Sequence, residues 1–253
     1  MPVEWKTTRV GDTVVHHWKR HNPREILAAL AEEPIETKGE TPQVRRYKLG
    51  KLNLAVRQLP RVSGYATNTG KLFATLKQMQ RERMPIIEVP VAIIKEPANV
   101  FKVVTVWKKG ANSLLSWVNE ADLSSRVSLN EVRDVANSVA RKVAQLHVAG
   151  YAHGNLKLDN FVITPSGVPL LVDFTKLQKV GKQSLPAKRG DNWLYGHIDA
   201  GELNLLFDNF ASLQVAKLKT KNKTERLNFY RQAVNDLWSE YSKWYTHYSG
   251  IKE

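Results

Sequence analysis

The run 128–173 constrains the fold more than any other part of the chain. It opens with Ser128-Leu129-Asn130-Glu131, a capping box: a serine able to hold the third helical N–H and a glutamate able to reach back to the serine's own. The spacing predicts a long helix from there to His147, with Leu129, Val132, Val135, Val139, Val143 and Leu146 on its buried side. A polar stretch follows, His153-Gly154-Asn155-Leu156-Lys157-Leu158-Asp159-Asn160. Two short apolar strands, Phe161 to Thr164 and Leu170 to Val172, flank the turn Pro165-Ser166-Gly167, and Asp173-Phe174-Thr175 comes directly after. Taken one at a time these are weak signals. A helical turn and a β-hairpin with incidental polar residues read the same way.

The residues before this run have a different texture. Asn22-Pro23 predicts an N-cap with proline at the first helical position of a short helix reaching Glu32. Val44 to Leu49 and Leu52 to Gln58 read as strands joined by Gly50-Lys51. Leu72, Phe73, Leu76 and Met79 form one helical stripe that ends before Met84-Pro85, and Val89 to Ile94 and Phe101 to Trp107 read as a second strand pair around Glu96-Pro97-Ala98-Asn99. Lys108-Lys109-Gly110 breaks the pattern. Beyond it come a short helix over Ser113 to Glu120, the long helix, and from about Lys176 a loop with two or three helices. The expected fold class is α+β and bilobal: a small antiparallel β-rich lobe over residues 1–109 and a compact helical lobe over 110–253.

With 253 residues and a 42% hydrophobic fraction the chain can bury a sizeable core. It has no cysteine, which excludes disulfides and thiolate metal sites. Met1 to Arg20 has no apolar signal segment, and no apolar run approaches the roughly 18 residues of a membrane span. The expected location is cytoplasmic, or peripheral on the cytoplasmic face of a membrane. The net charge of +14 favours anionic partners without choosing among lipid, phosphorylated glycan and nucleic acid. His16, His17 and His21, among Trp18, Lys19 and Arg20, read as solvated surface or anion contact; His147 and His153 read as bracing residues. The terminal stripe Leu237, Tyr241, Trp244 or Tyr245, and Tyr248 reads as core, with an interfacial role for Trp238 beside Lys243 and Arg231 left open.

The order of two strands, a helix, two strands, a hinge and a helical region resembles the protein kinases. In those enzymes a catalytic-loop Asp orients the acceptor hydroxyl, a Lys two residues on neutralises the transferring phosphoryl group, and an Asn five residues on binds magnesium. The Asp before Phe-Gly binds the metal that bridges the phosphates. Lys157 and Asn160 stand at those offsets from position 155, and Asp173 follows at a fitting distance. The departures are as informative. The base position is Asn155, the metal motif is Asp173-Phe174-Thr175, and the strand that should carry the phosphate-pairing Lys reads Leu54-Ala55-Val56-Arg57. No acid lies within one turn of Leu72, where the partner of that Lys should fall, and Thr37-Lys38-Gly39-Glu40-Thr41 is the sole candidate phosphate-covering loop. An amide cannot take a proton, and loss of a general base typically costs on the order of 10²–10⁴ in rate. Asp159, the nearest spare carboxylate, should face away.

Leu54-Ala55-Val56-Arg57-Gln58-Leu59-Pro60-Arg61, the step Met84-Pro85-Ile86-Ile87 and the compact large lobe are similar to the bacterial lipopolysaccharide core heptose and Kdo kinases. The small tRNA-modification and ribosome-maturation kinases stay open as alternatives. The resemblance implies ATP and Mg2+, a sugar hydroxyl as acceptor and a place at the inner-membrane surface. It implies catalytic roles for positions Asn155, Lys157, Asn160 and Asp173, nucleotide contacts at Arg57, Lys157, Trp107 and Gly110, and magnesium at Asn160 and Asp173. Two functions follow from it: a divergent phosphotransferase acting on an anionic glycolipid, or a pseudokinase that regulates or scaffolds a partner enzyme of envelope glycolipid biosynthesis. A third, docking on RNA, rests on charge alone.

Overall fold

A computed structural model describes residues 4–38, 44–59, 69–81, 90–97, 100–107, 110–120, 128–173, 176–180, 187–189, 192–194 and 200–250. The fold is α+β, and the chain divides into two compact units, Met1–Gly110 and Ala111–Glu253.

The first unit contains strands β1 (Trp5–Val10) and β2 (Thr13–Trp18), helix α1 (Pro23–Ala31), strands β3 (Glu36–Lys38), β4 (Val44–Leu49) and β5 (Leu52–Leu59), helix α2 (Thr69–Arg81), and strands β6 (Ala92–Glu96) and β7 (Val100–Val106). All seven strands form one antiparallel sheet in the order β1-β2-β6-β7-β5-β4-β3. Side chains alternate between the two faces of a strand, and the burial follows that alternation. One face carries Val15, Tyr47, Leu54, Val56, Ala92, Ile94 and Val104, closed by Ile26 of α1. His16 lies on the other face, stacked on Phe73 of α2 with centroids 4.3 Å apart. As expected from Asn22-Pro23, the Asn22 side chain accepts from Arg24 N at 3.0 Å and Pro23 opens α1. In the second strand pair the first strand sits later than the sequence suggests, at 92–96, and the second one residue earlier, at 100–106.

The β1–β2 hairpin corrects the reading of the amino terminus as solvated surface. His17 is only 3% exposed. Its Nδ1 donates to the Trp18 carbonyl at 2.9 Å and its Nε2 meets the Thr8 hydroxyl at 2.9 Å, so the imidazole is a satisfied core group. The missed signal was Gly11-Asp12 between β-branched runs, with Gly11 at φ +58, a conformation that suits a two-residue hairpin turn.

The second unit begins with β8 (Asn112–Ser113) and α3 (Leu114–Glu120), where the Ser113 hydroxyl accepts from Ser116 N. Helix α4 (Leu129–Val148) has both halves of the predicted capping box: Glu131 N donates to Ser128 Oγ at 3.1 Å, and Ser128 N to Glu131 Oε2 at 2.6 Å. Its buried stripe runs from Val132 to His147, whereas Leu129 is partly exposed. Next come β9 (Tyr151–Ala152), a 3-10 turn at Leu158–Asn160, β10 (Phe161–Ile163), β11 (Pro169–Leu171), β12 (Gln178–Lys179), β13 (Ala187–Arg189), β14 (Asn192–Leu194) and helices α5 (Ala200–Ala216) and α6 (Lys223–Ser249). Where a loop was expected after Lys176, the chain makes three short strands: β12 pairs with β9, and β13 pairs with β14.

Helices α4, α5 and α6 share the core of this unit. Leu203, Leu206, Phe207 and Phe210 of α5 are buried, Phe207 packs edge-on against Trp238 and Tyr241 of α6, and Tyr241 Oη bonds His147 Nδ1 at 2.7 Å. Trp238 is thus core and not interfacial, while Trp244 and Tyr248 are partly exposed. No helix among the described residues is long and apolar enough to cross a membrane.

Candidate functional site

The polar stretch after α4 is shaped by its backbone. Gly150 ends the helix at φ +82, and its carbonyl accepts from Val180 N at 2.8 Å, which ties the entry of the loop to the end of β12. His153, fully buried, donates from Nε2 to the Val172 carbonyl at 3.0 Å. Gly154 sits at φ +71, and a Cβ there would meet Lys176 Cβ at 2.9 Å and Lys176 O at 3.0 Å, so no other residue fits without displacement. The Leu156 amide donates to Glu202 Oε2 at 2.7 Å, so the start of α5 holds the middle of the loop. No sequence spacing announces that contact, because a backbone amide is its other half.

These anchors bring Asn155, Asn160 and Asp173 together. Asn160, 1% exposed, donates from Nδ2 to the Asn155 carbonyl at 2.7 Å, and its own carbonyl accepts from Val172 N at 2.8 Å. With its NH2 committed, the side-chain carbonyl is the atom of Asn160 suited to be a ligand. Asn155 Nδ2 donates to Asp173 Oδ2 at 3.2 Å. Asp173 is the single non-glycine residue with positive φ, +69, among those described. A left-handed aspartate costs on the order of 1–3 kcal/mol and persists where its surroundings demand it.

Chemically, the set offers two kinds of oxygen suited to a hard divalent cation: an amide carbonyl and a carboxylate. Among the described residues no group of three or more His, Asp or Glu gathers as a metal site, so such a cation would take its other ligands from phosphate and water. The Asn155 amide places a partial positive charge against the Asp173 carboxylate, where a bound cation would otherwise balance it. The side chains of Lys157 and Asp159 are exposed.

Arg57, Trp107 and Gly110 belong to the first unit. Arg57 is partly buried on β5, opposite Val44 and Val103. Arg46, opposite Ala55 on the neighbouring strand, shares its face. The Arg46 guanidinium lies 3.8 Å from the Trp107 ring centroid, so one face of that ring is already covered. Trp107 N donates to the Asn53 carbonyl at 2.7 Å, and Gly110 takes φ +77. Gly39 to Thr41 of the candidate phosphate loop, Met84-Pro85, Lys108-Lys109 and Phe174-Thr175 lie outside the described residues.

No protein-family model matches the chain, and no curated protein is similar to it.

Proposed function

We propose that this chain is a kinase-like protein resembling the lipopolysaccharide core sugar kinases, with a degenerate phosphotransfer centre of its own. In this reading Asn160 and Asp173 hold magnesium with ATP, Lys157 faces the transferring phosphoryl group and Arg57 grips the phosphates. Magnesium, when bound, screens the phosphate charge. Transfer to a sugar hydroxyl of an anionic glycolipid is weak or absent, because Asn155 cannot accept the acceptor proton. The carrying observation is the hydrogen-bonded set itself: Asn155, Asn160 and Asp173 joined at 2.7 and 3.2 Å, with the aspartate held in a strained conformation.

One detail favours a second reading. The Asn155 N–H already serves the carboxylate a cation would serve, and the Arg46 guanidinium already covers Trp107. Both suit a pseudokinase that engages a partner enzyme of envelope glycolipid synthesis at the cytoplasmic face of the inner membrane. The test is a thermal-shift titration with ATP, with and without magnesium, on the native chain and on Asp173→Ala. A magnesium-dependent rise that disappears in Asp173→Ala supports the nucleotide-binding reading. No rise in the native chain removes it and leaves the scaffold.

A further inference from the structure

The sheet of the first unit ends at β1, and among the described residues no strand pairs with the outer side of β1. The register shows which backbone groups face that side. Lys19 N donates to the Glu4 carbonyl at 2.7 Å, so these two residues form a hydrogen-bonded pair just before Trp5 meets Trp18. Bonded and non-bonded pairs alternate along an antiparallel ladder. Lys6, Thr8 and Val10 therefore bond β2, whereas Thr7 and Arg9 turn their N–H and C=O away from it. No other backbone group among the described residues meets them.

The side chains along this margin carry one sign of charge. Lys6, Thr7 and Arg9 are exposed. Lys6 lies on one face of the strand, and Arg9 on the other with Thr7, whose hydroxyl bonds His16 Nδ1 at 2.9 Å. This second face looks toward α2. Phe73 stacks on His16 and meets Trp5 edge-on at 5.2 Å, and Lys77 Nζ lies 5.8 Å from the Phe73 centroid. Both sides of the margin are thus cationic, and a partly exposed aromatic ring stands beside it. The nearest carboxylates in the sequence, Glu4 and Asp12, fall outside the strand at its two ends, and Glu4 is already held by Lys19 at 2.8 Å. Arg9 forms no ion pair among the described residues.

We propose that the β1 margin docks an extended acidic segment of a partner protein, which joins the sheet as a further strand. Donors and acceptors alternating along an edge are answered in full by another peptide backbone. Phosphate groups, whether of lipid or of nucleic acid, supply acceptors alone and leave the outward carbonyls of Thr7 and Arg9 without donors. Side chains of the added strand alternate as those of β1 do, so acidic ones reach Lys6 on one side and Arg9 and Lys77 on the other. The charges select the sign of the partner, and the backbone selects its conformation. The proposal is independent of the kinase-like reading, because none of its residues belongs to that set.

The experiment titrates the full chain with a short peptide of mixed glutamate, threonine and valine, and with its counterpart carrying lysine for every glutamate. Calorimetry reads the affinity, and amide hydrogen exchange reads where the peptide lies. The acidic peptide is expected to bind more tightly than the basic one by about tenfold or more, and to slow exchange at the Thr7 and Arg9 amides. Thr7→Pro removes an outward N–H at an edge position, where proline is tolerated, and should lose the binding. The double variant Lys6→Glu with Arg9→Glu changes exposed side chains alone, should fold as the native chain does, and should prefer the basic peptide. The proposal is overturned if neither peptide binds the native chain, or if the basic one binds as well as the acidic one. Binding of the acidic peptide without slowed exchange at Thr7 and Arg9 overturns it too, since that is attachment by charge alone. So does binding that survives in a folded Thr7→Pro, or an unchanged preference in the double variant.

Discussion

At the scale of single residues, the amide at position 155 is the feature with the clearest physical consequence. Asn155→Asp would place two carboxylates about 3 Å apart, and such a pair does not ionise fully unless a cation lies between them. This variant is expected to melt lower than the native chain in chelator. In magnesium it should recover by more than the native chain gains, and calorimetry with and without the metal reads the difference. Equal responses to magnesium would show that Asp173 does not take part in metal binding. Gly154 gives a second residue-scale prediction. Gly154→Ala combines a left-handed φ with a 2.9 Å approach to Lys176, and should cost on the order of 1–3 kcal/mol in urea denaturation. The sequence marked Asn155, Asn160 and Asp173 because their offsets are local and ordered. Glu202 carried no mark, since its partner is a backbone amide.

Among the elements, two that begin with a chemical cap, α1 and α4, could be read directly. The serine and glutamate of α4 and the Asn22-Pro23 step of α1 satisfy their own helix ends, so no distant residue was needed to find them. Ser128→Ala should lower stability by about 1 kcal/mol. The Glu131 half adds a pH dependence. Hydrogen bonds from the Ser128 backbone, then its hydroxyl, lower the Glu131 pKa below the usual carboxylate value. A depressed folded pKa contributes stability above the unfolded pKa and loses it as pH falls through the folded one. The gap between the native chain and Glu131→Gln should therefore be widest near neutrality and shrink below about pH 4, as equilibrium unfolding at several pH values can check. The elements that were missed depend on more than local chemistry. The β1–β2 hairpin was obscured by charge and histidine, although Gly11-Asp12 stood between β-branched runs. Strands β12 to β14 are two or three residues long, too short for periodicity to register.

For the whole molecule, charge is distributed unevenly. Residues 1–110 contain 20 Lys and Arg against 10 Asp and Glu, so most of the +14 excess belongs to the first unit. Vesicles with anionic headgroups should retain the chain at low ionic strength and release it as salt shortens the screening length to about 3 Å at 1 M. Co-sedimentation across a salt series measures this, and retention that ignores salt would point to apolar anchoring instead. The α+β division into a sheet-rich and a helical unit followed from the order of elements, whereas the length of the sheet did not: two further strands extend it at the amino terminus. That extension decides what the sheet offers at its β1 margin. An open sheet ends in a row of unpaired backbone groups that can recruit a strand from another chain. Here the last strand, β1, carries exposed Lys6 and Arg9. Two copies meeting along that margin would bring like charges together, so the strand that completes the sheet also guards it against fibril-like stacking in a crowded cell.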